Sequence, residues 1–345
     1  MLDGVDPGHF EDYFFYTIEN IGQNNPLIET ALGGHTLIAL DGSEYFCSKR
    51  VSCPNCSKRL RNDGVEEYFH AFLAATIVDP NSRAVLSLPP EFITPQDGVK
   101  KQDCEWRAAE RWLNRFADNC LKYNPVFLGD DLYAKHDMCK RLIDMGANFI
   151  FTCKDASHKT LCEFRAGLMA KSLEKEEGKG NQKRRYCYKW LCDLPLRDGL
   201  DAVHVNWIDL TISNPKGKET YHISFITNFV PNENNVEELA RCGRARWKIE
   251  NETFNVLKNN GYHLEHNFGH GKATLSSVLV TLNLLAFNIH NGCDICEVLW
   301  QKARKTAGAR MRLFVLLWTL TMYIVYPTWN SLLNMIATGR HPPTP

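Results

Sequence analysis

The sequence carries no excess charge of either sign, with 40 Lys and Arg against 40 Asp and Glu in 345 residues. Overall charge therefore cannot announce a nucleic-acid partner, and any grip on a phosphate backbone must come from local clusters. There is also little that could enter a membrane. The one candidate, Leu313 to Pro327, is 15 residues long, against the roughly 20 that a spanning helix needs, so a buried helix is expected there. No charged-then-apolar signal layout opens the chain at MLDGVDPGHFEDYF, and the 13 cysteines are odd in number and irregular in spacing. Both features exclude a secreted disulfide framework and point to a reduced, cytoplasmic protein outside any membrane. No internal repeat is visible. What remains, 44% hydrophobic residues beside 23% charged ones, is an ordinary globular balance with enough apolar material for a large core.

Residues 1–34 are short, acidic and broken by Gly and Pro, and read as a lead-in without a fold of its own. From His35 the stretch HTLIALDG predicts a buried strand ending on Asp41, with further strands at 68–79 and 84–93 separated by the turn signals CPNC, NDG and DPNS. Apolar residues at Trp106, Ala109, Trp112, Leu113 and Phe116 recur near a 3.6 period and predict a helix over 100–123, after the turn PQDG. PVFLGDD then predicts a strand closing on Asp130, HDMCKRLIDMG a helix ending at Gly146, and NFIFTCK a further strand. Residues 156–234 alternate in strand fashion after a Lys/Glu/Gly-rich run, which indicates a β-rich insertion. Helices are expected at 236–261, 272–292 and 296–338.

Two carboxylates are thus expected at strand ends, the edge where α/β folds gather ligand-binding groups: Asp41 before Gly42, and Asp130 after Gly129, with Asp131 as its neighbour. A third, Glu250, projects at roughly 100° per residue between Phe254 and Leu257 and within a turn of Trp247, on an apolar face where an ionised acid is costly unless it meets a cation. Glu252 projects to the other side and is the reserve choice. Three converging acids suit Mg2+, a hard cation that takes oxygen ligands, and two such ions form a clamp for in-line phosphoryl transfer.

This pattern, βββαβαβ followed by an insertion and a helix, resembles the RNase H-like core of DDE transposases of the insertion-sequence group over residues 35–292. The group's signature is Tyr-x2-Arg-x3-Glu-x6-Lys; RWKIE supplies Arg246 and Glu250, while its Tyr position is Gly243 and its Lys position Leu257, with Lys258 one place on. LGDDLY resembles the second-Asp motif, with Tyr133 three residues after Asp130.

The resemblance implies an α/β fold, a mixed sheet flanked by helices with the β-rich insertion before the last catalytic helix. It divides the chain into a lead-in (1–34), core first part (35–155), insertion (156–234), core last part (235–292) and C-terminal helical region (293–345). It implies cleavage and strand transfer of double-stranded DNA, at transposon ends and target, through Asp41, Asp130 and Glu250 holding two Mg2+, for which Mn2+ could substitute. A homodimer on DNA, in the nucleoid of a bacterial or archaeal cytoplasm, follows from the same likeness. The short region before Asp41 leaves little room for the group's usual N-terminal DNA-binding helices, so a truncated, inactive copy that still binds DNA is one alternative reading. An RNase H-like two-metal nuclease is another.

Arg246 lies near Glu250 on the projection and is expected on a DNA phosphate, with Lys258 about 80° away, and Tyr133 is assigned to DNA with them. Arg184 and Arg185, in a run with Lys179, Lys183 and Lys189, and a second basic run at Lys302, Arg304, Lys305, Arg310 and Arg312, could follow a backbone. Cys47, Cys53, Cys56 and His70 offer the four ligands of a structural Zn2+, with free thiols in a turn as the alternative. His263, His266 and His270 sit in a loop soon after Glu250 that could line the cleft, with ordinary surface or core histidines as the favoured alternative.

Overall fold

The computed structural model describes residues 2–22, 27–95, 104–265 and 270–340. His266 and the start of the expected helix at 100–103 lie outside them. A 3-10 turn, Pro7–Phe10, runs into α1, Glu11–Gly22. Then follow β1 (Thr36–Ser48), β2 (Ser57–Leu60), β3 (Glu66–Val78), β4 (Val85–Ser87), β5 (Glu91–Ile93), α2 (Glu105–Leu121), β6 (Pro125–Gly129), α3 (His136–Asp144) and β7 (Asn148–Thr152). The insertion holds α4 (Lys159–Ala166), β8 (Lys171–Glu177), β9 (Arg184–Pro195), β10 (His204–Ser213) and β11 (Glu219–Thr227). The chain then returns to helix with α5 (Val236–Arg244), α6 (Asn255–Asn259), α7 (Leu275–Cys296), α8 (Val298–Ala307), α9 (Arg310–Tyr323) and α10 (Trp329–Thr338).

All strands join one mixed sheet in the order β2-β3-β1-β6-β7-β11-β10-β9-β8, with β4 and β5 also on β3. The centre is parallel, β1 to β6 and β6 to β7, and the flanks are antiparallel, β3 to β1 and β11 to β7. This is the expected RNase H-like arrangement. The start of β1, residues 37–40, and the end of β3, residues 71–78, read as near-continuous apolar runs because both faces of the sheet are covered there. On one face lie Trp112, Leu113 and Phe116 of α2 with Met138 and Leu142 of α3; on the other lie Leu239 of α5, Leu257 of α6 and Leu284 and Phe287 of α7. The β-rich insertion lengthens this same sheet, since β11 pairs directly with β7.

Four expectations change. First, the lead-in folds: Phe14 and Ile18 of α1 are fully buried, each contributing roughly 1.5–3 kcal/mol, which holds a helix of 12 residues that would be marginal alone. Asp3 accepts backbone N–H bonds from Ala273, Thr274 and Leu275 at 2.9, 3.0 and 3.2 Å, capping α7. Second, β1 does not end on Asp41 but runs on to Ser48, because β3 continues to pair with it.

Third, the expected helix at 236–261 is broken: α5 tightens into a 3-10 turn at Ala245–Trp247 and then widens into a π turn at Ile249–Phe254. Fourth, α9 is not buried. Leu313 alone of its residues is, whereas Trp318 is 66% exposed beside exposed Val315 and Met322, so its apolar residues lie on the surface. No helix among the described residues is long and apolar enough to cross a membrane.

Candidate functional site

Strand register brings the first two acids together. Ala39 of β1 sits opposite Leu128 of the parallel β6, so two residues further along each strand Asp41 and Asp130 are neighbours, on strands about 4.8 Å apart. Alternation places Asp41 on the face of Leu37 and Ala39, which is the face covered by α5 and the π turn. Asp130 lies just past the last residue of β6, and its Oδ1 accepts the Leu132 N–H at 2.8 Å, an Asx turn that swings the chain away into α3.

Glu250 reaches the same place, though not for the reason its sequence suggested. A π turn holds more residues per turn than an α-helix, so a 100° projection misplaces its side chains. Ile249, Thr253 and Phe254 are the residues it buries, and Glu250 is 49% exposed, with Trp247 exposed beside it. The expected apolar face for Glu250 is therefore wrong. Its Oε1 accepts from Arg246 Nη2 at 2.7 Å, and Arg246 Nη1 lies 3.5 Å from Asp41 Oδ2, so one guanidinium bridges helix acid and strand acid. Glu252 points elsewhere, toward Arg83 at 3.8 Å.

A fourth carboxylate joins them that sequence reasoning missed. Glu105, the first residue of α2, comes from the opposite layer of the sheet, and a Cβ on Gly42 would lie 2.4 Å from its Oε2. The glycine after Asp41 is what admits it. Tyr133 donates its hydroxyl to Glu105 Oε1 at 2.7 Å, and its ring occupies the space a side chain at Gly129 would need, 2.7 Å from that Cβ position. Both Gly residues of the two Asp motifs thus make room for one buried pair. The glycine in each motif was the available sequence signal, but Glu105 is too far along the chain for any spacing argument to find it.

The electrostatics record the crowding. Burial first, then the charge of Glu105, with further contributions from Glu250 and Asp130, push the Asp41 carboxyl up to about 7 against the pull of Arg246. Glu105 is raised as well, by burial first and by Asp130, although Tyr133, the Gly42 N–H and Arg246 oppose it. Four acids facing a single guanidinium form a place where added positive charge is favourable. Oxygen donors of this kind fit hard divalent cations. Among the described residues, the groups whose ligand atoms all lie within 4.8 Å of one another are Cys53/Cys56/His70/His270 and Asp131/Cys153/His158. Asp41, Asp130, Glu250 and Glu105 are not among these groups.

The remaining expected residues disperse. Asp131 turns away from its neighbour and is nearly buried, accepting the Lys154 N–H at 2.7 Å and facing His158 Nε2 at 3.1 Å. Burial alone would raise this carboxyl, but the Ser157 hydroxyl, the Lys154 N–H and His158 together hold it below its usual value. Cys153 beside it is a buried thiol pushed up to about 12, a protonated core group. Tyr133 is 0% exposed and cannot touch DNA, because its ring fills the core under Gly129. Lys258 pairs with Glu265 at 2.8 Å.

Arg185 pairs with Glu174 at 2.5 Å and Lys183 with Glu176 at 2.6 Å, because the acidic β8 lies alongside β9 and offsets its basic run. Arg184 donates to the Lys183 carbonyl. In the second basic run, Arg304 and Arg310 both turn inward onto Asp294. Cys47 is exposed, its sulfur near Arg59, and His270 stands with Cys53, Cys56 and His70 where Cys47 was expected. His263 is exposed.

Compared with known protein families, residues 51–289 match the family described as transposase DDE domain, which is more than half of the chain. The matched stretch contains Glu105, Asp130 and Glu250 and begins after Asp41. No curated protein matches the chain.

Proposed function

We propose a reaction for this chain, which belongs to the transposase DDE domain family: metal-dependent cleavage of DNA and transfer of the cut strand, with Asp41, Asp130 and Glu250 holding two Mg2+, or Mn2+ in their place. The observation that carries this reading is the meeting of Asp41 with Asp130 in strand register, opposite Glu250 and Arg246, at a carboxyl pushed to about 7. Such a site is short of positive charge, and oxygen ligands in this number suit magnesium. Two bound cations supply activation of the attacking water or 3′-hydroxyl oxygen and stabilisation of the leaving oxygen.

The chain's own residues do the rest. Asp41 is held by its pairing with Ala74 of β3, two residues past the last β1 pairing with β6. Glu250 is half-exposed on the π turn and would leave Arg246 to hold a metal. Arg246, released from Glu250 in that exchange, is placed to pair with a phosphate as charge develops on it. Glu105, fixed by Tyr133 and the Gly42 gap, adds negative charge beside Asp41 from the opposite layer of the sheet. The substrate is double-stranded DNA at the element's ends and at a target, and a homodimer that spans two ends is part of the same reading.

The test is cleavage and joining of the element's own end sequences by the full chain, in Mg2+ and in EDTA. Single Ala substitutions at Asp41, Asp130 and Glu250 should abolish magnesium-dependent cleavage and leave DNA binding in place, while Glu252→Ala stays active. Activity in Glu250→Ala with loss in Glu252→Ala would reassign the helix acid. Cleavage without a joined product would make the chain a nuclease of this fold.

A further inference from the structure

The acid cluster leaves unused a second, chemically distinct group of side chains on the other side of β1. Cys53 and Cys56 form a tight turn in which the Cys56 N–H donates to the Cys53 carbonyl at 3.1 Å and the Cys53 N–H points at Cys56 Sγ at 3.3 Å. This leaves both sulfurs turned toward β3. The two sulfurs are 3.8 Å apart, and His70 Nε2 lies 3.3 Å from Cys53 Sγ and 3.4 Å from Cys56 Sγ. These spacings can be compared with those of a tetrahedral zinc site. Zn–S bonds of about 2.3 Å and Zn–N bonds of about 2.05 Å imply about 3.8 Å between sulfurs and about 3.6 Å between sulfur and nitrogen. The first agrees, and the second is met to within about 0.3 Å.

The fourth corner is taken by His270, whose ligand nitrogen lies within 4.8 Å of the other three ligand atoms. Its ring is only 9% exposed, and neither of its nitrogens has a hydrogen-bond partner among the described residues. A buried imidazole with two orphaned nitrogens costs free energy unless something satisfies it. An apolar wall encloses the group, with Phe46 edge-on to His270 at 4.0 Å between centroids and Tyr45 stacked on His70 at 5.5 Å.

We propose that Cys53, Cys56, His70 and His270 bind one structural Zn2+ in a closed Cys2His2 site. Two thiolates and two imidazoles with no open position select zinc over the hard cations of the acid cluster. The site ties the Cys-x2-Cys turn after β1 to the segment that enters α7, more than 200 residues away, a junction where Asn55 also donates to the Ala273 carbonyl at 2.7 Å. A clip there holds the connection after the Glu250 turn against the strand that carries Asp41.

The experiment is metal analysis of the purified full chain, followed by replacement with Co2+ and absorption spectroscopy. About one zinc per chain is expected, and the cobalt form should show the visible bands of a tetrahedral site with thiolate charge transfer. His270→Ala and Cys53→Ser should lose most of the zinc, whereas Cys47→Ser keeps it. Should His270→Ala fail to fold, His270→Cys keeps the zinc and shifts the cobalt bands toward a three-thiolate pattern. Substoichiometric zinc in a folded chain that takes up none on addition would overturn the proposal. So would zinc that is retained in His270→Ala but lost in Cys47→Ser.

Discussion

Replacing Asp41 by Asn should make the protein more stable and inactive at once. The carboxyl is held at about 7, against 3.8 for the same group unperturbed. A difference of about 3 units, at about 1.4 kcal/mol each, means that ionised Asp41 costs the folded chain about 4 kcal/mol in the absence of metal. The sign follows from proton counting. Because the folded-state value is raised, the folded chain retains a proton that the unfolded chain has shed; its stabilising contribution is complete below about 4 and is lost as pH rises through about 7. Asn cannot ionise, so the variant escapes the cost at pH 8, a cost already net of the 3.5 Å pairing with Arg246. The net gain should be about 2–4 kcal/mol at pH 8 and under about 1 kcal/mol at pH 4. Urea denaturation in EDTA at the two pH values measures both numbers. Adding Mg2+ should then raise the stability of the wild type at pH 8 and leave the variant unchanged. Equal stabilities at pH 8, or a gain that persists undiminished at pH 4, would show that the acids around Asp41 do not repel one another as described.

Gly243 stands where the related signature has Tyr, and a Cβ there would lie 2.8 Å from the Phe225 ring and 2.9 Å from Ile150. Gly243→Ala should therefore cost roughly 1–3 kcal/mol by overpacking, read as a lower urea midpoint, and an unchanged midpoint would show that α5 can lift off the sheet freely. Asp131→Ala should cost about 1–3 kcal/mol by stranding the Lys154 N–H and His158, while stabilisation by Mg2+ survives. Loss of the magnesium response in that variant would move the second metal acid from Asp130 to Asp131.

Much of the frame was legible because it is written locally. β3 is a run of apolar residues, α2 repeats its buried residues at Ala108, Ala109, Trp112, Leu113, Phe116 and Cys120, and Gly146, at a φ of 73°, ends α3. Each of these follows from periodicity or from a single backbone angle. The exposure of α9 was not legible, since an apolar stretch looks the same whether or not another element covers it. α1 was missed for the opposite reason: its sequence is unremarkable, and tertiary packing holds it in place, through buried Phe14 and Ile18, Phe15 against Phe116 and Ile21 against Gly292.

The chain by itself determined the acids at the ends of the apolar stretches, the Cys-x2-Cys turn and the helix bearing Glu250, because residue type and spacing need no knowledge of what lies across the fold. Tertiary structure alone decided which side chains complete them. Glu105 reaches Asp41 over the gap at Gly42, His270 takes the corner expected of Cys47, and the π turn sends Glu250 to solvent and Arg246 rather than into an apolar face. In each case the deciding contact joins residues far apart in sequence, or depends on a helical turn whose pitch is set by packing, and neither is encoded in any short stretch of chain.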